Sequence, residues 1–244
     1  MCILALVWIP ECGKVVKMTE ISDRLLTVND QIAAAETKYD REPGTVKLLA
    51  VSKRKPAEAV RAAYDAGQSA FGENHLQEAL TKIKTLEDIK IEWHFIGPIQ
   101  SNKSRPIAEH FDWAHSVDRY KVAKRLNEQR PTQNTPLNVC IQVNVSDEST
   151  KSGVALDEVP ALAEAIANMP QLRLRGLMAI PSPEDSFNAQ RAPFKRLKEA
   201  LDSLSDAGYD VDTLSMGMTN DMEAAIAEGS TIVRIGTAIF GARA

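Results

Sequence analysis

VKLLAVSK (46–53) decides how the chain is read. It is a short, nearly unbroken apolar run ending in a serine and a lysine. A run of that length without polar alternation is a strand buried on both faces, as in a parallel sheet. Pro56 suits the first turn of a helix, 57–66 carries helical spacing, and Gly67 stops it. One strand–helix unit is therefore complete by residue 67.

Outward from that unit, the pattern repeats. SAFGEN (69–74) precedes a helix over 75–86, and IEWHFIG (91–97) precedes a helix over 104–110. DWAHSV (112–117) leads to 119–129, PLNVCIQVNV (136–145) to 156–168, and LRLRGLMAI (172–180) to a long helix over 187–206. VDTLSMGM (211–218) is followed by a helix over 220–228, and STIVRIGTAIFG (230–241) supplies an eighth strand. Eight α/β units of about 25 residues each predict a single (β/α)8 TIM barrel. A doubly wound sheet shares the alternation, but no GxGxxG follows the first strand. Upstream, 19–39 places Ile21, Leu25, Leu26, Val28, Ile32 and Ala35 on one helical stripe, an extra N-terminal helix.

The apolar run MCILALVWI (1–9) is shorter than the roughly 20 residues that cross a bilayer. It lacks a basic leader and a small-residue cleavage site. Residues 1–18 read as an extension, with Met18 as the natural start, and 19–244 as one domain. With 29 basic and 33 acidic residues the net charge is −4, which offers no broad attraction to nucleic acid or anionic membrane. Cys2, Cys12 and Cys140 form no pair, fitting a reducing cytoplasm. His75, His94, His110 and His115 have no metal-ligand spacing. No extended apolar patch is evident, so a monomer is expected.

Barrels place ligand-binding groups at the C-terminal ends of their strands. Those ends deliver Lys53, Asn74, His94, Asn144, Met178, Ser215, Gly217, Arg234, Gly236 and Thr237, with Lys151 on the loop after the fifth strand. This cationic, hydroxyl- and glycine-rich rim on an acidic chain points to a local anionic ligand. The loops after strands seven and eight, Ser215-Met216-Gly217 and Gly236-Thr237, suit a phosphate through glycine backbone, hydroxyls and a helix start. The same glycines also serve as ordinary turns. Lys53 ends an apolar strand, where it either becomes a desolvated amine nucleophile or snorkels to solvent. Arg234 sits inside the apolar run TIVRIG and needs an acceptor, either a carboxylate such as Glu73 or Asp221, or a ligand atom.

AVSKRKP (50–56), FGENHLQE (71–78), WHFIGPIQSNKSR (93–105), VNVSDESTKSG (143–153), RGLMAIP (175–181) and LSMGMTNDMEAAIAEGSTIVRIGTAIFGAR (214–243) strongly resemble the pyridoxal phosphate homeostasis family. The resemblance covers residues 20–243. It implies a fold type III barrel like the N-terminal domain of alanine racemase, with pyridoxal 5′-phosphate (PLP) carried as a Schiff base on Lys53. It places phosphate contacts at Ser215, Gly236 and Thr237, and Arg234 at the pyridine nitrogen. His75 stands where the family usually has tyrosine. A racemase needs two bases, and the second comes from a further domain for which the barrel leaves no room. Tyr39, Tyr64, Tyr120 and Tyr209 fall in or beside helices rather than on the rim. The resemblance thus implies a carrier of PLP, passing it to apo-enzymes, with no catalytic residue. A weak racemase or other PLP enzyme of amino-acid metabolism is the alternative, and a phosphosugar-binding barrel a third.

Overall fold

The computed structural model describes residues 12–146 and 152–241, with side chains from residue 20 onward. Lys151 and residues 1–11 lie outside the described residues. α1 (Cys12–Lys38) begins seven residues before the expected start at 19. Its buried Leu25, Val28, Ile32 and Ala35 recur at spacings of three and four and face the barrel's outer shell.

The barrel follows as β1 (Lys47–Val51), α2 (Ala57–Asp65), β2 (Ala70–Glu73), α3 (Leu76–Thr85), β3 (Glu92–Phe95), α4 (Ser104–His110), β4 (Trp113–Val117) and α5 (Tyr120–Gln129). It continues through β5 (Leu137–Gln142), α6 (Val159–Ala167), β6 (Leu172–Met178), α7 (Phe187–Asp206), β7 (Thr213–Ser215), α8 (Met222–Ala227), β8 (Ile232–Ile235) and the short α9 (Thr237–Phe240). All eight strands pair in parallel, in chain order, and β8 closes on β1 through Leu49↔Arg234 and Ala50↔Ile235. The expected (β/α)8 barrel with an additional N-terminal helix is therefore the fold.

Strand alternation divides the core. Leu48, Ala50, Val233 and Ile235 join the large apolar cluster beneath the helices, which α7 enters through Phe194, Leu197, Leu201 and Leu204. The alternate positions form separate interior clusters: Leu49 with Ala70 and Ile232, and Trp113 with Cys140 and Met178. Entry into β1 is fixed by the buried Glu36 of α1. Its carboxylate accepts from the backbone N–H of Gly44 (3.0 Å) and Val46 (2.8 Å).

Among the described residues, no helix is long and apolar enough to cross a membrane.

Candidate functional site

Lys53 lies two residues beyond β1, in a turn at the C-terminal mouth, with its side chain exposed. The turn closes through Lys55 N–H to the Ser52 carbonyl (3.0 Å), and Arg54 takes a left-handed φ of 59°. That conformation costs a non-glycine residue energy. It is held from below: the Arg54 N–H donates to Glu78 Oε1 (2.6 Å), and Ser52 Oγ donates to the buried Glu73 Oε1 (2.6 Å). The Lys82 ammonium, reaching in from α3, donates to the Ser52 carbonyl (2.7 Å), Glu73 Oε1 (2.7 Å) and Glu78 Oε1 (2.6 Å). Burial raises the Glu73 carboxyl, and the Lys82 charge opposes that rise.

Glu73 is thus spent on Lys82, not on Arg234. Nothing in the sequence marks Lys82 for this role. Its only signal was Glu78 four residues earlier, which reads as a solvated helical pair. Glu73 Oε2 and Asn74 Oδ1 are buried beside this turn without a hydrogen-bond partner among the described residues. Unmet acceptors of this kind are costly unless something supplies donors.

The loops after β7 and β8 form the neighbouring part of the mouth. Gly217 has φ +94°, and a Cβ there would meet the Ala225 methyl at 2.6 Å. A Cβ on Gly236 would sit 3.0 Å from the Val51 carbonyl. A side chain is excluded at Gly217 and crowded at Gly236. Thr237, exposed, opens α9, whose first N–H groups have no intrahelical acceptor. Met178 and Ser215 are placed differently. Both are fully buried inside the barrel, Met178 against Trp113 and Cys140. The exposed hydroxyl on the β7–α8 loop is Thr219 instead.

Arg234 projects into the barrel interior and is almost fully buried. Its Nη1 donates to the Ser215 carbonyl and to Ser215 Oγ (2.9 Å), and its Nη2 to the Ala179 carbonyl (2.9 Å). Its acceptors are therefore neutral oxygens, neither Glu73 nor Asp221. Burial lowers the guanidinium to about 10, so it stays charged at neutral pH.

From Ser215 a hydrogen-bonded line runs down the barrel axis. Ser215 Oγ meets His115 Nδ1 (2.8 Å), His115 Nε2 meets His94 Nδ1 (2.8 Å), and His94 Nε2 meets Glu92 Oε1 (2.8 Å). Lys47 closes the line at Glu92 Oε2 (2.6 Å). Trp113 stacks on His94 with centroids 5.2 Å apart. Burial holds His94 below its ordinary value against the pull of Glu92. It holds His115 well below, helped by the positive charge around it. For Glu92, burial works upward, but His94 and Lys47 outweigh it and bring the carboxyl to about 2. Burial pushes the Cys140 thiol up to about 12. The line ends at the N-terminal mouth, where Lys47, Glu92, Asp112, Trp113, Arg175 and Asp212 border a cavity of about 520 Å³.

Two histidines kept neutral by burial make stability depend on pH. The unfolded chain protonates them near 6.5 and the folded chain only at lower pH, so stability is lost as pH falls below 6.5. For both together the slope is at most about 2.7 kcal/mol per pH unit. The urea midpoint should drop between pH 7.5 and 5.5, and His115→Gln should flatten that drop. A midpoint that does not move over this range would contradict neutral burial.

The family model described as the alanine racemase N-terminal domain matches residues 28–244. The pyridoxal phosphate homeostasis protein of Pseudomonas aeruginosa is 60% identical over 226 residues, covering 93% of this chain and 97% of the relative. That of Escherichia coli K12 is 55% identical over 229 residues, covering 93% and 98%. PipY of Synechococcus elongatus PCC7942, solved with PLP bound, is 36% identical with a TM-score of 0.81, over 91% of this chain and all of that one. Alanine racemase from Corynebacterium glutamicum shares the barrel (TM-score 0.67, 19% identity, 91% of this chain and 60% of that one). The chain belongs to the alanine racemase N-terminal domain family and, within it, to the pyridoxal phosphate homeostasis proteins.

Proposed function

We propose that this protein binds PLP at the C-terminal mouth, covalently through Lys53, and holds and supplies the cofactor in the cytoplasm rather than using it in catalysis. The observation that carries the reading is the mouth itself. An exposed lysine stands on a turn clamped by a buried ion network, beside two unmet acceptors and a glycine-lined helix start. When bound, the cofactor supplies an aldehyde to which a primary amine adds, together with a phosphate and an aromatic ring nitrogen.

The chain's residues would each do one part. The Ser52–Glu73–Lys82 network orients the Lys53 turn. Asn74 Oδ1 accepts a hydrogen bond from the ligand. Gly217, Gly236 and Thr237 take the phosphate with backbone N–H groups and a hydroxyl. Met178, buried against Trp113 and Cys140, would contribute apolar interior. Arg234 supports the carrier reading most directly. A buried, permanently charged donor facing the ring nitrogen keeps a proton off that atom, and PLP enzymes commonly rely on a protonated ring as electron sink. The protein would work as a monomer and pass its cofactor to PLP-dependent apo-enzymes.

Thr237→Val should weaken PLP binding by about 1.5–3 kcal/mol, the usual worth of a hydrogen bond to a charged group, and leave free pyridoxal untouched. Titration of both ligands followed by absorbance checks this. Equal losses for the two would remove Thr237 from the phosphate site. Amino-acid turnover by the loaded protein at enzymatic rates would replace the carrier reading with the racemase one.

A further inference from the structure

We propose that Glu92, His94 and His115 form a one-way hydrogen-bond relay that commits the Ser215 hydroxyl proton to His115, so that Ser215 acts as a positioning residue for Arg234 and not as a phosphate donor. The number of protons along the line fixes its direction. The line has four junctions: Glu92–His94, His94–His115, His115–Ser215 and Ser215–Arg234. At one end Glu92, paired to Lys47 at 2.6 Å, is a carboxylate that only accepts. At the other, Arg234 only donates. Between them each neutral histidine and the serine hydroxyl brings one proton.

Only one arrangement fills every junction once. His94 carries its proton on Nε2 and gives it to Glu92. His115 carries its proton on Nε2 and gives it to His94 Nδ1. Ser215 gives its hydroxyl proton to His115 Nδ1 and accepts from Arg234. The reverse arrangement faces a carboxylate with a lone pair and leaves the Ser215 proton without an acceptor. The surroundings agree with neutral histidines. Lys47 lies at one end and Arg234 at the other, Trp113 covers His94, and the buried Cys140 thiol lies beside Trp113. Asp112 bears on His94 and Asp221 on Arg234 only through space.

The consequence for the ligand rests on the reading of Arg234 given above. With Ser215 Oγ and the Ser215 and Ala179 carbonyls as its acceptors, the guanidinium plane is fixed before any ligand arrives. The phosphate must then be held by the Gly217 and Gly236–Thr237 side of the mouth.

Long-range ¹H–¹⁵N spectra of the histidine side chains test this in the full chain without ligand, with His94→Gln and His115→Gln supplying the assignments. At pH 7.5 both rings should be neutral with the proton on Nε2. An Nδ1 proton or an imidazolium at either wild-type ring would overturn the relay. The wild-type spectrum decides the direction even where an assignment variant fails to fold. For positioning, Ser215→Ala should weaken PLP and free pyridoxal by the same factor, about 3- to 10-fold for one lost hydrogen bond. A loss confined to PLP would make Ser215 a phosphate donor after all. Failure of the wild type to bind either ligand would overturn the cofactor reading alone, because the tautomers are measured without one.

Discussion

Lys53→Ala should lose the visible absorbance that PLP acquires on covalent attachment to the protein, while Lys55→Ala should keep it. Both lysines leave the same strand end, and alternation along β1 does not separate them. Their positions do. Lys53 occupies the crest of a turn whose flanking residues are tied to Glu73, Glu78 and Lys82, whereas Lys55 closes that turn through its own N–H and abuts Pro56. A fixed backbone beneath a mobile amine lets the amine be presented without ordering the loop at each encounter. Removing that amine leaves only the non-covalent contacts, so some affinity for PLP should persist without the spectral change. Retention of the absorbance by Lys53→Ala would transfer the attachment to another lysine.

Lys82→Ala should be the most damaging single change outside the apolar core. It strands Glu73, which is fully buried and would keep only the Ser52 hydroxyl as donor. Removing one member of a buried ion pair typically costs about 3–5 kcal/mol, because the remaining charge is uncompensated. Replacing both, Lys82→Met with Glu73→Leu, should cost less than Lys82→Ala alone. Urea unfolding of the two variants measures this, and equal loss in both would show that the network contributes packing rather than charge balance. Because Lys82 also grips the Ser52 carbonyl, Lys82→Ala should slow covalent capture of PLP even where the fold survives.

The barrel was legible because short strands rich in apolar residues alternate with helices that have clear stops, such as Gly67 after α2 or Pro170 after α6. Strand ends were less so. VDTLSMGM (211–218) gives only Thr213–Ser215 as strand, because Gly217 at φ +94° turns the chain away. Lys53 and Arg234 could be singled out because a charge at or inside an apolar strand needs a reason. The axial relay could not. His94 and His115 belong to neighbouring strands, and only the register His94↔Trp113 brings their rings together. The signal was present but faint: polar residues at alternate positions, 92 and 94 in β3 and 115 in β4, point inward by strand parity. Ser215 was assigned to the mouth for the same reason. The sequence shows a hydroxyl at a strand end but not whether it faces solvent or a buried histidine.

Lys53, among all the lysines of this chain, is the one proposed to carry PLP. Incubating the full-length protein with PLP, reducing with borohydride and mapping the modified peptide tests it most directly. Close to one cofactor per chain is expected, attached at Lys53, with excess free lysine in the buffer failing to prevent the labelling. Label spread over many surface lysines, or concentrated on Lys55 or Lys82, would contradict it.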